Sequence, residues 1–185
     1  MPYGLAYYPN FNCDGIDRLR RRHDPTVDLI APHLTIMFPI PDSVGEPKLV
    51  RHLEGTLKRW QPFQIQIRGL TKSWDHWLFL TLREGNAEVV KLYEEIYTGL
   101  LAGFRRNDLE FIPHIAVGLF VKDARCYDYR NPQKLQFDEQ RYEQALREAE
   151  SLDIDVRRTV DKLQLVRFND YISKIVTERE LRLVG

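Results

Sequence analysis

Cysteine is scarce in this chain of 185 residues, which contains only Cys13 and Cys126. The two residues lie far apart, and neither belongs to a Cys-x-x-Cys pair. A disulfide-stapled domain and a zinc knuckle both need several closely spaced cysteines, so the sequence indicates neither class. We expect both cysteines to be reduced thiols with a structural role.

The chain also lacks net charge and long apolar runs. Its 27 Lys and Arg residues balance 27 Asp and Glu residues, so no overall field would attract a long polyanion such as a DNA duplex. Any contact with nucleic acid should therefore be local. No segment approaches the roughly 20 apolar residues that cross a bilayer, and residues 1–5 do not begin a signal-like segment. We expect a soluble, cytoplasmic protein with no membrane contact.

No low-complexity tract or linker divides the sequence, and 43% of its residues are hydrophobic, as in ordinary globular proteins. We expect one two-lobed domain over residues 1–185. The stretch 122–136 is predicted to be the longest loop, and Asn86 is predicted to cap the third helix. Periodicity and turn residues predict strands at 3–8, 30–39, 63–67, 77–82, 109–121, 154–168 and 173–184, and helices at 14–23, 49–60, 86–100 and 139–152.

A short unit of proline, histidine and aliphatic residues occurs twice. Residues 30–36 read Ile-Ala-Pro-His-Leu-Thr-Ile, and residues 111–117 read Phe-Ile-Pro-His-Ile-Ala-Val. Their surroundings predict a buried strand in each case, followed by a loop, a helix and two strands. A duplicated α+β unit would form antiparallel sheets with flanking helices about a pseudo-twofold axis. His33 and His114 would then meet in a central groove between two lobes.

This pairing of histidines points to acid/base chemistry. Side chains on a strand alternate between its faces, so His33 and Thr35 should point the same way. Leaving them buried and unpaired would cost roughly 1–3 kcal/mol each, which favours a cleft. Histidine titrates near neutral pH, so one ring can deprotonate a water that attacks phosphorus while the other protonates the leaving oxygen. Thr35 is positioned to donate to a non-bridging phosphate oxygen.

A metal or another cofactor is not expected at this site. Neither histidine strand carries a His-x-His pair or a carboxylate at ligand spacing. A cyclic phosphate suits a metal-free site, because ring strain already destabilises its ground state. A lone histidine on a strand is usually a satisfied core residue, and it is the duplication that favours a shared phosphoester site.

The sequence resembles the two-histidine (2H) phosphoesterase superfamily, which includes 2′-5′ RNA ligase-like proteins and is defined by two His-x-Thr/Ser-x motifs. His33-Leu34-Thr35-Ile36 matches that motif in full. The resemblance is strongest to the bacterial YjcG-like branch and implies a bilobal α+β fold, no metal, and action on 2′,3′-cyclic phosphates, 2′-5′-linked nucleotides or RNA ends. It also implies that His33 is the proton donor and His114 the proton acceptor. The resemblance covers nearly the whole chain, through Tyr3-Gly4, Asp24-Pro25, Pro32-His33-Leu34-Thr35, residues 97–103 and Pro113-His114.

The second motif departs from the family pattern, since Ala116 stands where a hydroxyl residue is expected. Losing such a donor could cost roughly 2.7–4 kcal/mol of transition-state stabilisation. Leu119 stands where some relatives carry an arginine, so phosphate charge would need Lys122, Arg105 or Arg106. The alternative to a phosphoesterase is therefore a catalytically weak or inactive protein that binds nucleotides or RNA ends in the same groove. Strand joining is a third hypothesis, although no nucleotidylated-lysine motif supports an ATP-driven version.

The other conspicuous residues receive structural interpretations. We interpret His23, His52 and His76 as exposed surface residues, because they lie outside the repeat. The arginine run over 18–22 is flanked by aspartates and predicts a solvated helix face. We interpret Trp74, Trp77 and Phe38 as packing residues at a hairpin end and in the core, although each could stack on a base. We expect the protein to be a monomer.

Overall fold

In a computed structural model of the protein, the described residues are 2–10, 13–124, 135–169 and 173–185. Cys126 and most of the predicted loop 122–136 lie outside them. The strands are β1 (Tyr3–Tyr7), β2 (Leu34–Ile40), β3 (Phe63–Lys72), β4 (Trp77–Glu84), β5 (His114–Leu119), β6 (Val156–Val160), β7 (Lys162–Asn169) and β8 (Ser173–Arg182). The helices are α1 (Asp14–His23), α2 (Glu46–Leu57), α3 (Asn86–Ile96) and α4 (Glu139–Ser151). Short 3₁₀ turns span Asp42–Val44 and Gly99–Phe104.

The strands form two antiparallel sheets. The first has the order β2-β1-β7-β8 and the second the order β5-β4-β3-β6. The two histidine strands, β2 and β5, are therefore edge strands, and they contact each other. This arrangement confirms the predicted α+β fold with two antiparallel sheets and flanking helices.

The duplication is visible in the order of elements. Strand β1 pairs with β2 across an intervening α1, and β4 pairs with β5 across an intervening α3. In each case the second strand carries the histidine motif and becomes the sheet edge. The sequence repeat therefore corresponds to a repeat of strand, helix and histidine strand.

The predicted strand at 154–168 is divided into two strands that belong to different sheets. Strand β6 pairs with β3 in the second sheet, whereas β7 pairs with β1 in the first. The division occurs at Asp161, between the buried residues Val160 and Leu163. These two are three positions apart, so the inside-outside alternation shifts by one residue there and the strand cannot keep one face buried. The prediction of one continuous strand is wrong for this reason.

Both histidine strands begin later than predicted. Strand β2 begins at Leu34 rather than at residue 30, and β5 begins at His114 rather than at residue 109. A proline precedes each histidine, and proline has no N–H to donate to a sheet ladder. His33 therefore lies immediately before β2, and His114 is the first residue of β5, where the chain enters each sheet.

Helix α3 begins at Asn86 as predicted, but Gly85 is its N-cap residue. Gly85 has a φ of 79°, in the left-handed region, and a Cβ added there would lie 2.5 Å from the Gln64 carbonyl oxygen. The turn from β4 into α3 thus passes so close to β3 that glycine is required. The prediction that Asn86 caps this helix is wrong.

The two faces of the sheets have different partners. Residues from all four helices and from one face of each sheet form the main hydrophobic core. In β4, Leu78, Leu80 and Leu82 belong to that core, so the alternate residues face the other way. A second apolar cluster on this other face, the outer-face cluster, consists of Trp77, Phe79, Leu119, Val121 and Leu135.

Candidate active site

The two histidines lie on the sheet faces that point away from the main core. Alternate residues of β2 and of β5 are buried in that core. Thr35 in β2, and His33 immediately before that strand, therefore share the opposite face, as do His114 and Ala116 in β5. Because β2 and β5 contact each other, the structure brings these positions together where the two sheets adjoin.

Both imidazole rings are held in the same way by their own backbone. The Nδ1 atom of His33 lies 2.9 Å from the Ala31 carbonyl oxygen, and that of His114 lies 2.6 Å from the Ile112 carbonyl oxygen. A carbonyl oxygen can only accept, so in the neutral ring Nδ1 carries the hydrogen and donates it. In both rings Nε2 is then the unprotonated nitrogen, which is available to accept a proton.

Burial lowers the pKa of His114 from its ordinary value of 6.5 to about 4. The positive charge of His33 lowers this pKa further, while the Ile112 carbonyl and the Asp75 carboxylate oppose the change. The influence of His33 means that the two rings are close enough to repel each other when both are protonated. His114 is therefore neutral at pH 7 in the free protein.

The pKa of His33 is also lowered, and again burial is the main cause. The Ala31 carbonyl and the Asp24 carboxylate favour the protonated ring, whereas the Arg20 guanidinium disfavours it. His33 thus has charged neighbours of both signs, one on α1 and one at its C-terminal end.

Those neighbours form a buried ion pair. Arg20 and Asp24 are 4% and 5% exposed, and the Arg20 Nε lies 2.9 Å from Asp24 Oδ2. Arg20 also donates to the Ile30 carbonyl oxygen at 2.7 Å, while Asp24 Oδ1 accepts from the backbone N–H and the hydroxyl of Thr26. The pair fixes α1 to the segment that leads into His33. It therefore supports the position of the histidine that it also influences electrostatically.

The surroundings of His114 are mostly apolar. Its ring stacks on Phe79, with 3.5 Å between centroids and 17° between planes. Ala116 packs on the outer-face cluster, to which Phe79 belongs. On the first sheet, His33 has a looser aromatic neighbour in Tyr8, at 5.8 Å between centroids. The two halves of the site thus differ in polarity.

Thr35 is half-buried and lies opposite Ala6 of β1. Within the part of the chain that the structure describes, its hydroxyl has no hydrogen-bond partner. The corresponding residue of β5, Ala116, lies opposite Phe79. The structure therefore places His33 and Thr35 on one edge strand or directly before it, and His114 on the adjoining edge strand, and residue 116 carries no hydroxyl.

Several other sequence-based interpretations are altered by the structure. His23, His52 and His76 are half-buried rather than solvated: His23 stacks on Phe120, His52 contacts the Ile96 carbonyl oxygen, and His76 stacks on Phe137. The solvated-face interpretation of the arginine run is wrong for the buried Arg20. Trp77 and Phe38 are packed as predicted, whereas Trp74 is 58% exposed.

The three cations suggested for phosphate binding either pair with carboxylates or lie away from His114. Arg105 pairs with Glu94, and Arg106 makes two hydrogen bonds to Asp108. Lys122 lies beyond the end of β5 that is opposite to His114.

Two neighbours of the histidines were missed by the interpretation of the sequence. They are Phe79, which stacks on His114, and the Arg20–Asp24 pair beside His33. The i, i+4 spacing of Arg20 and Asp24 was the available signal for the pair. No comparable local signal marks Phe79, because its contact with His114 depends on the register of β4 and β5.

Two histidines at the start of adjoining edge strands in an α+β fold are typical of a two-histidine, phosphoesterase-like class of protein. The chain belongs to the 2′-5′ RNA ligase superfamily, whose family model matches residues 9–171. A protein from Geobacillus thermodenitrificans, provisionally named a phosphoesterase, is 28% identical over 140 residues, which is 74% of this chain and 79% of that protein. One from Halalkalibacterium halodurans with the same provisional name is 30% identical over 123 residues, or 64% and 70% of the two chains.

Solved structures share the fold at low sequence identity. A protein from Thermus thermophilus, TT0787, superposes with a TM-score of 0.62 and 15% identity, covering 100% of this chain and 99% of that one. Escherichia coli LigT in complex with 3′-AMP superposes with a TM-score of 0.56 and 13% identity, covering 100% of both chains. These similarities establish the fold, and the family supports a function of the phosphoesterase type.

Membrane spans and metal clusters are both missing from the part of the chain that the structure describes. No helix in the described ranges is long and apolar enough to cross a membrane. Among the same residues, no three His, Cys, Asp or Glu side chains are grouped so that they could hold a metal ion.

Proposed function

We propose that this protein is a metal-independent phosphoesterase that opens a cyclic phosphate, 2′,3′-cyclic or related, on a nucleotide or an RNA end. The observation that carries the proposal is the matched presentation of two histidines from adjoining edge strands, each with Nδ1 bonded to the carbonyl two residues earlier. That arrangement leaves Nε2 of both rings for proton transfer. A phosphorus atom between them could then be attacked on one side and released on the other.

The two rings are proposed to have different roles, with His114 as proton acceptor and His33 as proton donor. A base must be neutral before reaction, and a pKa of about 4 keeps His114 neutral over most of the working pH range. An acid must be protonated; burial and the Arg20 charge lower the pKa of His33 in the free protein, while the Ala31 carbonyl and the Asp24 carboxylate oppose this change. The negative charge of a bound phosphate would raise this pKa, so we propose that His33 gains its proton in the complex with substrate.

The proposed step is an in-line displacement. His114 Nε2 takes a proton from water as the water oxygen bonds to phosphorus. The bond from phosphorus to one ribose oxygen breaks, and His33 Nε2–H gives its proton to that oxygen. The product is a phosphomonoester with one free ribose hydroxyl, and proton exchange with solvent restores both rings. The Thr35 hydroxyl is proposed to donate to a non-bridging oxygen as negative charge develops there.

The direct test is hydrolysis of 2′,3′-cyclic mononucleotides and of RNA with a cyclic phosphate end. His33→Ala and His114→Ala should each lower kcat by roughly 10²–10⁴-fold, the usual contribution of one general acid or base. Because the pKa values of both rings lie below 6.5, kcat/KM should fall below a pH of about 4 and should already decline before pH 6.5 is reached. Activity that disappears with a chelator, needs ATP or survives both substitutions would contradict the proposal.

The alternative is a nucleotide or RNA-end binder with little or no turnover. It is favoured by Ala116 and by the apolar surroundings of His114. Tight binding of cyclic nucleotides without hydrolysis, not rescued by Ala116→Thr, would support it. Measurable hydrolysis that requires both histidines would exclude it.

Nucleotide binding and a monomeric working form complete the proposed function. LigT has been solved with 3′-AMP, and we extend nucleotide binding to this chain on that basis. We propose a monomer in which residues 1–185 act as one two-lobed domain in the cytoplasm. Gel filtration with light scattering tests the monomer, and a mass of twice 21.9 kDa would contradict it.

A further inference from the structure

Thr81 lies directly across from His114 in the second sheet. The register of β4 and β5 pairs the Cα atoms of these two residues. Directly opposed residues on antiparallel strands point to the same face, with Cβ atoms about 4.5–5.5 Å apart. The stacking of His114 on Phe79, two residues before Thr81, agrees that this face of β4 is the one that carries the histidine. Thr81 is therefore a hydroxyl residue on the active-site face beside His114.

The Thr81 hydroxyl forms no hydrogen bond within the described part of the protein. Thr81 is half-buried, and among the described residues no group forms a hydrogen bond with its Oγ1. A threonine in a strand can be present simply because it favours β-structure. A hydroxyl that is partly removed from water without a protein partner is, however, suited to a ligand.

Gly69 keeps space open next to this hydroxyl. A Cβ added to Gly69 on β3 would lie 2.7 Å from Thr81 Oγ1, so this oxygen lies on the β3 side of Thr81 and would turn toward a phosphate beside His114 by rotation about χ1. No other heavy atom outside the chain neighbours of Gly69 lies within 4 Å of that Cβ position among the described residues. Gly69 has a φ of 127°, which side chains rarely adopt, and it lies in an irregular part of the β3–β4 register. Glycine in a strand interior often marks a close approach of a ligand or another backbone.

We infer that Thr81 donates a hydrogen bond to the substrate phosphate and supplies the hydroxyl that Ala116 lacks. This inference rests on the proposed function, because it assigns a second phosphate donor to the same site. In the first sheet, a hydroxyl residue on the histidine strand, Thr35, lies opposite the small Ala6 on β1. In the second sheet, the residue two after the histidine is small, and the hydroxyl is carried by the neighbouring strand. The site thus retains one hydroxyl beside each histidine.

The experiment compares Thr81→Val with Thr81→Ser in hydrolysis of a 2′,3′-cyclic mononucleotide. Valine keeps the branched shape of threonine in the strand but removes the hydroxyl, and serine keeps the hydroxyl. Thr81→Val should lower kcat roughly 10²-fold, as loss of a single transition-state donor does. Thr81→Ser should retain most of the activity. Adding Ala116→Thr to Thr81→Val should restore part of the lost kcat, because a hydroxyl then returns to the same phosphate from the neighbouring strand.

The matched control is Thr71→Val. Thr71 is a half-buried threonine of β3 that lies opposite Phe79, one strand further from His114. This substitution should have little effect on kcat or on the midpoint of thermal unfolding. If Thr81→Val behaves like Thr71→Val while His33→Ala and His114→Ala are inactive, the proposed function stands and the role of Thr81 is refuted.

The inference can also be tested if the wild-type protein does not turn over. Binding of inorganic phosphate and of 2′-AMP is then measured for the wild type and both Thr81 variants. Weaker binding by Thr81→Val alone, restored in Thr81→Ser, would support Thr81 as a phosphate contact even though the proposed hydrolysis has failed. Equal binding by all three proteins would overturn the inference.

Discussion

Direct titration of His114 is the sharpest test of the site geometry. Its ring is half-buried, stacks on Phe79 and lies within electrostatic reach of His33, and its pKa is lowered from 6.5 to about 4. Nuclear magnetic resonance of the imidazole Cε1–Hε1 groups, recorded from pH 3.5 to 8 on the free protein, measures this value. We expect the His114 signal to remain that of a neutral ring until the pH approaches 4.

The lowered pKa of His114 also makes the free energy of unfolding depend on pH. The folded protein holds His114 neutral, whereas the unfolded chain binds a proton at a pKa near 6.5. The stabilisation that comes from holding His114 neutral is therefore fully present above pH 6.5, and it is lost as the pH falls toward about 4. A shift from 6.5 to about 4 corresponds to about 3 kcal/mol, because each pKa unit represents 1.36 kcal/mol.

Urea unfolding of the wild type and of His114→Gln isolates this contribution, since glutamine does not titrate. Between pH 7 and pH 4, the free energy of unfolding of the wild type should fall by about 3 kcal/mol more than that of the variant. His33→Asn provides a second check, because removal of the His33 charge should raise the pKa of His114. A His114 that titrates near 6.5 and does not respond to His33→Asn would refute the adjoining-ring geometry.

Three further predictions concern the support of the site. Asp24→Ala leaves the guanidinium of Arg20 buried without its partner, so the free energy of unfolding measured in urea titrations should fall by about 3–5 kcal/mol. An unchanged free energy would show that the ion pair is dispensable. Gly85→Ala forces a side chain into a left-handed turn against β3, so the free energy of unfolding should fall by more than about 1 kcal/mol. An unchanged free energy of unfolding would contradict the observed turn. Phe79→Ala exposes the ring of His114 to water and should raise its pKa toward 6.5 in the same resonance titration; an unchanged value would mean that Phe79 does not bury the ring.

Local sequence patterns predicted the elements near the site well. The bounds of α1 agree with the prediction, because acidic residues begin the helix and Asp24-Pro25 ends it. The repeated Pro-His unit correctly predicted two histidine strands that adjoin. That inference succeeded because the strand alternation, the proline and the histidine are all local features, and the duplication related them across the chain.

Features that depend on distant parts of the chain could not be predicted. Whether β6 and β7 pair in one sheet or two depends on β3 and β1, which lie far away in sequence. The need for Gly85 arises from the close passage of β3, and the burial of Arg20 depends on the Ile30 carbonyl that it reaches. Charge and polarity suggested a solvated arginine, and the i, i+4 spacing of Arg20 and Asp24 could indicate their pairing but not their burial.

The pseudo-symmetry of the fold and the asymmetry of its site have separate physical meanings. Duplicated strands give both rings the same backbone contact, which fixes the same nitrogen for proton transfer in each. Burial lowers the pKa of both rings, but their neighbours differ: His33 has Arg20 and Asp24, whose opposite charges act against each other, while the pKa of His114 is lowered to about 4 beside Phe79 and the charge of His33. Acid/base catalysis by a pair requires two different pKa values, because two identical rings would compete for one proton.

Exchanging the two environments tests this assignment of roles. Phe79→Asp together with Asp24→Asn places a carboxylate beside His114 and removes the one beside His33, so the pKa of His114 should rise and that of His33 should fall. The measurement is the pH profile of kcat/KM for a 2′,3′-cyclic mononucleotide, together with the resonance titration of both rings. If the pKa values changed and the pH profile did not, the two rings could not be the acid and the base of the reaction.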